Sequence, residues 1–145
     1  MKKRKPLRRH PELIPYSREH HKLLLTAQLL KTDVPDYKGM PNTPEGKRTY
    51  LYVFLDDFLE PHLQREEQEL FPRVQQHTSA LDDMIDDLQQ DHAYFRRQIA
   101  ALQDLNGDEL IQTMDRLGRR LEKHVRKEER VFFQKVQQTV LNDEG

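Results

Sequence analysis

The sequence predicts an all-α protein: an antiparallel, up-down-up-down four-helix bundle with an internal two-fold repeat of a helix pair. Three observations predict it. The 145 residues are 34% charged, with five glycines and no tryptophan, and long Leu/Gln/Glu/Arg/Asp-rich stretches lack the Val/Ile/Thr alternation of strands. Apolar residues recur every three or four positions in four segments, separated by mostly short Pro/Gly breaks. The two halves also echo each other: PHLQREEQELFPRVQQ (61–76) aligns with KHVRKEERVFFQKVQQ (123–138), and REHHKLLL aligns with QDHAYFRR at an acid followed by His20 or His92.

Residues 1–15 carry Lys2, Lys3, Arg4, Lys5, Arg8 and Arg9, broken by Pro6, Pro11 and Pro15. They read as a basic, flexible, solvated tail, since no aromatic side chains interleave the charges for contact with nucleic-acid bases. The bundle is expected over 16–141, with a short tail at 142–145. Ser17 is a candidate N-cap for a first helix over 18–31, with Tyr16, His20, Leu23 or Leu24, Ala27 and Leu30 facing inward. Pro35, Gly39, Pro41 and Pro44 mark the loop that follows.

Thr43-Pro44-Glu45 reads as an N-cap, an N1 proline and an early acid opening helix two. Its inward face is expected at Leu51, Leu55, Phe58, His62, Glu66 and Leu70, ending near Phe71, where Pro72 stops or kinks it. Pro61 removes the N–H that would bond the Asp57 carbonyl, which predicts a kink just before His62. Helix three is expected from Ser79 to Leu105, with the stripe Leu81, Ile85, Leu88, His92, Phe95, Ile99 and Leu102. Asn106-Gly107 ends it. Helix four, over 108–140, turns in Leu110, Met114, Leu117, Leu121, His124, Glu128 and then Val131 or Phe132.

Four histidines and two glutamates therefore fall in apolar seams. In each copy a histidine is followed four residues later by a glutamate (His62 and Glu66, His124 and Glu128), so both project from one helix face. A single seam histidine is most often a hydrogen-bonded core residue. A buried carboxylate without a partner costs several kcal/mol, and no Lys or Arg shares these seam positions. Two divalent cations would accept the carboxylates and use neutral imidazoles as donors.

The whole pattern, E-H…H-x-x-x-E-E…D-H…H-x-x-x-E-E with LFP after the first copy, resembles the hemerythrin-like (HHE cation-binding) domain over about residues 13–140. The resemblance implies two iron ions in a non-haem di-iron centre with an oxo or hydroxo bridge. It implies His20, His62, His92 and His124 as terminal ligands and Glu66 and Glu128 as bridging carboxylates. Oxygen-carrying members have a fifth histidine where this chain has Leu88, and end with His-x-x-x-x-Asp rather than His124-x-x-x-Glu128. The ligand set looks closer to the bacterial iron–sulfur-cluster repair proteins, whose N-terminal cysteines this cysteine-free chain lacks. Zinc or manganese could occupy the same donors. No Glu precedes a His by three residues, which disfavours a ferritin-like site.

Around this set, His20 is preferred to His21 because it matches His92 in the repeat. Glu67 and Glu129 are assigned a solvated or outer role, about 100° round the helix from the ligands. Tyr50, Tyr52 and Tyr94 are read as core packing, His10 and His77 as surface residues, and Asp82, Asp83, Asp86 and Asp87 as a solvated face.

The expected function is binding of O2 or NO, or reduction of peroxide, in sensing, redox stress or iron handling. No nucleophile or phosphate loop names an organic substrate. The alternative is an iron-responsive interaction module whose metal occupancy is read by a protein partner. Absence of cysteine excludes disulfides and thiolate sites within the chain. A net charge of −1 argues against nucleic acid as partner. No apolar run approaches a membrane span and no signal segment is evident, so the expected location is cytoplasmic.

Overall fold

A computed structural model describes residues 8–141; Lys2, Lys3, Arg4, Lys5, Pro6 and the expected tail at 142–145 lie outside the described residues. The described residues form four helices and no strands. Helix α1 is Ile14–Leu30. Helix α2 covers 44–77 and α4 covers 107–139, each interrupted by π turns but not broken. Helix α3 is Asp82–Ala101, closed by the 3-10 turn Leu102–Asp104.

Thr43 caps α2 as expected, its hydroxyl accepting from the Gly46 N–H at 3.0 Å. Ser17 does not cap α1. The helix starts one turn earlier, with Pro15 in its first turn, where a missing N–H costs nothing. Ser79 likewise lies before α3, its carbonyl accepting from Asp82 N–H at 3.1 Å, and the acids Asp82 and Asp83 occupy the first turn. At the first residue of α4, Gly107 sits at φ +54°, a conformation that favours glycine.

Neither Pro61 nor Pro72 ends α2. Each stands two residues beyond a π turn, Leu55–Leu59 and Glu66–Leu70. The extra residue lets Glu60 N–H reach the Leu55 carbonyl and Phe71 N–H the Glu66 carbonyl, widening the helix just before each ring. A third π turn, Glu128–Phe132, forms in α4 without a proline near it. What it shares with Glu66–Leu70 is a buried glutamate at its first position.

The first π turn also rotates the expected face of α2. Leu51 is buried as read, but the next core positions are Phe54, Leu59 and Leu63, and Phe58 is 47% exposed. Lys22 lies 5.0 Å from the Phe58 ring centre. In α3 the entire expected stripe, Leu81 to Leu102, is buried. In α4, Phe132 faces in and Val131 is exposed, which decides that alternative.

Apolar side chains form two clusters with the polar residues between them. Along α1 the chain meets Leu13 and Tyr16 of one cluster, then His20, then Leu23, Ala27 and Leu30 of the other. Along α2 the order reverses: Phe54, Leu59 and Leu63 precede Glu66, and Leu70, Phe71 and Val74 follow it. Helix α3 repeats the order of α1, and α4 repeats that of α2. Gly118 allows α1 and α4 to approach closely, since a Cβ there would stand 2.7 Å from the Ala27 carbonyl oxygen.

Candidate metal centre

All six sequence-selected side chains meet in the layer between the two clusters. His62, Glu66, His92 and Glu128 are fully buried, and His20 and His124 nearly so. Donor atoms of His20, His62, Glu66 and Glu128 lie within 4.8 Å of one another, as do those of Glu66, His92 and His124. Glu66 belongs to both groups. His21, the alternative on α1, is exposed.

Each imidazole is already held at Nδ1. His20 Nδ1 stands 2.6 Å from Glu129 Oε2, and His62 Nδ1 stands 2.7 Å from Glu19 Oε1. His92 Nδ1 is 2.7 Å from Glu67 Oε2, and His124 Nδ1 is 2.8 Å from Asp91 Oδ2. A carboxylate at Nδ1 makes that nitrogen the N–H donor, so in the neutral ring Nε2 carries the lone pair and faces the layer. Phenylalanines fix two ring planes as well. Phe133 stacks on His20 at 5.6 Å and 6°, and Phe71 stacks on His92 at 5.7 Å and 24°.

Cations stand behind the carboxylates. Arg65 pairs with Glu19, Arg96 Nη1 lies 2.8 Å from Glu67, and Lys127 and Arg120 lie 3.1 and 2.9 Å from Asp91. Glu129 receives Arg9 at 3.1 Å and the Ser17 hydroxyl at 2.7 Å. Glu67 and Glu129 thus take the outer role rather than the solvated one. Glu19 and Asp91 were the residues missed: the acid before each seam histidine was visible in both copies, but an i, i−1 neighbour cannot hold its own histidine. Each instead reaches the histidine of the following helix.

His20 Nε2 and Glu128 Oε1 pair at 3.0 Å, and the other inward atoms are unsatisfied. His62 Nε2, His92 Nε2, His124 Nε2, both Glu66 oxygens and Glu128 Oε2 are buried without a hydrogen-bond partner. Among the described residues, Tyr52 Oη and Asp82 Oδ1 are the others in that condition. His92 Nε2 stands 3.1 Å from Glu66 Oε1 but lacks the geometry of a hydrogen bond. At about 1–3 kcal/mol for each orphaned group, the layer carries a penalty comparable with the whole stability of a domain, about 5–15 kcal/mol. Two buried carboxylates and four inward-facing imidazoles are the donor set that divalent metal ions accept, so the residues fit that group.

Protonation follows the same charges. Burial opposes a charge on His20, yet its hydrogen bonds to Glu128 and Glu129 raise it to about 9. Burial is likewise outweighed at His62 by the Glu66 charge and the Glu19 hydrogen bond, raising it to about 10. At His92, Glu66 and Glu67 overcome burial and raise it to about 9. Burial works against ionisation of Glu66, but the charge on His62 holds it well below the carboxylate range. Burial and the nearby Glu66 charge push Glu128 upward.

Tyr16 packs edge-on to His62 at 5.9 Å. Burial and the Glu69 and Glu66 charges push its phenol to about 12, so it remains a hydrogen-bond donor. Beside it lies a cavity of about 280 Å³, lined by Leu13, Leu70, Val74 and Val136 among others. Tyr50, Tyr52 and Tyr94 are partly buried against the core, as expected. His77 is exposed, while His10 is half-buried and lies with Arg9 against the last helix rather than in solvent.

A helical fold that closes four histidines and two glutamates into one dry layer defines an all-α metal-binding protein. The family model described as the hemerythrin HHE cation binding domain matches residues 16–136, and the chain belongs to that family. Comparison with curated protein sequences and with solved structures gave no match. No helix among the described residues is long and apolar enough to cross a membrane.

Proposed function

We propose that this protein is a non-haem di-iron protein that binds O2 or NO, or reduces peroxide, in a sensing, redox-stress or iron-handling role. The observation that carries the reading is the set of six buried donor atoms left without partners, in a layer whose imidazoles are each oriented from behind. His20 and His62 would serve one metal position and His92 and His124 the other, with Glu66 and Glu128 shared between them.

When bound, a pair of irons supplies the electrons that diatomic or peroxide chemistry requires. The chain supplies the rest. Glu19, Glu67, Asp91 and Glu129 would hold protons on Nδ1 and turn each Nε2 toward the layer, where that of His20 lies 3.0 Å from Glu128 Oε1. The two apolar clusters keep bulk water from the layer, which strengthens every charge interaction inside it. The cavity beside Tyr16 would bring small ligands as far as that ring, which packs against His62.

The alternating order of the two apolar clusters along α1 to α4 supports an up-down-up-down bundle. Matched π turns at Glu66 and Glu128, and matched rings at Phe71 and Phe133, support descent from a duplicated helix pair. The deciding experiment is elemental mass spectrometry on protein purified without oxygen from iron-replete cells. About two irons per chain, with a visible spectrum that changes on adding NO or air, is the expected result. Folded protein without metal under those conditions would overturn the proposal.

A further inference from the structure

The outer cations follow the repeat at three positions and depart from it at the fourth. Arg65, three residues after His62, pairs with Glu19; Lys127, three residues after His124, pairs with Asp91. Arg96, four residues after His92, pairs with Glu67, the carboxylate that holds His92. The matching residue four positions after His20 is Leu24, which cannot pair with Glu129. Arg9 pairs with Glu129 in its place.

Arg9 comes from outside the helices, on the segment ahead of α1. Its guanidinium donates to the Glu129 carbonyl at 3.0 Å, to the Glu129 side chain at 3.1 Å and to Gln137 Oε1 at 3.1 Å. It also lies 5.3 Å from the centre of the Phe133 ring, which stacks on His20. Gln137 clasps the backbone on both sides of Arg9: its Oε1 accepts from His10 N–H at 2.8 Å, and its Nε2 donates to the Arg8 carbonyl at 2.9 Å. The residue matching Gln137 in the first copy is Gln75, which is exposed. The clasp therefore exists on one side of the pseudo-symmetric site only.

We propose that Arg9 is a positioning residue for His20, carried on a detachable strap, so that docking of residues 8–10 sets the metal affinity of one half of the centre and not the other. The inference rests on the metal-binding reading above. Glu129 aims His20, and Arg9 holds Glu129 through both its carboxylate and its carbonyl. His20 belongs to the group with His62, Glu66 and Glu128, whereas the group of Glu66, His92 and His124 is supported by cations on the bundle itself. Three of the four outer cations are built into the helices; the fourth, Arg9, is not, and without it Glu129 keeps only the Ser17 hydroxyl beside His20.

The test is an anaerobic cobalt(II) titration of the full-length protein, followed by visible absorption, on wild type, Arg9→Ala, Arg9→Lys, Arg8→Ala and Gln137→Ala. Wild type is expected to take two equivalents. Arg9→Ala should bind one equivalent as wild type does and the other about 10- to 100-fold more weakly, the usual effect of removing support behind a ligand. Gln137→Ala should weaken the same equivalent, Arg9→Lys should recover part of the loss, and Arg8→Ala should match wild type. Unchanged affinities in Arg9→Ala, or equal weakening of both equivalents, would overturn the strap. A wild type that binds no cobalt would overturn the metal reading, and the strap with it.

Discussion

Glu19 stands immediately before His20 in the chain, yet its carboxylate holds His62, 2.7 Å from Nδ1 on the next helix. Asp91 does the same before His92, holding His124 at 2.8 Å. The E-H and D-H dipeptides are therefore two working parts, one directed into the layer and one across to a neighbouring histidine. Glu19→Ala and Asp91→Ala are each expected to weaken metal binding about 10- to 100-fold while leaving the helices intact. Chelator competition together with far-UV circular dichroism measures both; unchanged affinity in either variant would contradict the assigned role.

The two glutamates in the layer are not equivalent. Glu66 lies in both donor groups and Glu128 in one. Glu66→Ala should strip both metal positions, and Glu128→Ala should depress chiefly the position of His20 and His62. Metal content per chain after gel filtration reads the difference, and full retention in both variants would sink the shared-carboxylate assignment.

The pH response of the metal-free protein follows from three raised histidines. His20 and His92 titrate near 9 and His62 near 10 when folded, against 6.5 ordinarily. A raised histidine contributes stability that is fully present below its unfolded value and is lost as pH rises through its folded value. The melting temperature of apoprotein should therefore fall as pH rises from about 6.5 and level off above about 9 to 10. Metal requires these rings neutral, so loading at neutral pH should release protons. Calorimetry in buffers of different ionisation enthalpy measures that release; its absence would argue against coordination by these histidines.

Gly118 gives a control remote from chemistry. A methyl group there meets the Ala27 carbonyl oxygen at 2.7 Å and Leu30 Cβ at 2.9 Å. Backbone and a buried neighbour must shift, so Gly118→Ala should destabilise by about 1–3 kcal/mol, with metal stoichiometry unchanged. Urea melts of apoprotein test the first part and elemental analysis the second.

Much of this was legible because residue type and spacing agree. The stripe of α3 is buried at every position read from the 3–4 alternation, and all six candidate donors meet. The face of α2 was misread between Leu51 and His62 because a π turn adds a residue that periodicity cannot register, which moves Leu59 in and Phe58 out. Prolines marked the neighbourhood of the turn but suggested a kink or a stop. The carboxylates behind the histidines were in view as E-H and E-E pairs. Their targets depend on which helices are neighbours, which a linear pattern does not state. Arg9 was hidden for a related reason: its partner lies 120 residues away.

The layer also divides the hydrophobic interior into two parts that do not merge. Without metal, charged and orphaned groups fill the boundary, and the two ends are coupled only by the helix backbones and by ring contacts through His92 and His124. Native-state amide exchange of apoprotein should then resolve two opening units, one containing Phe95 and Leu117 and the other Ile85 and Val136. Loading should merge them into one. A single unit in both forms would show that the backbones and ring contacts suffice without metal. On this view the metal centre is also the rivet that makes the molecule unfold as one body.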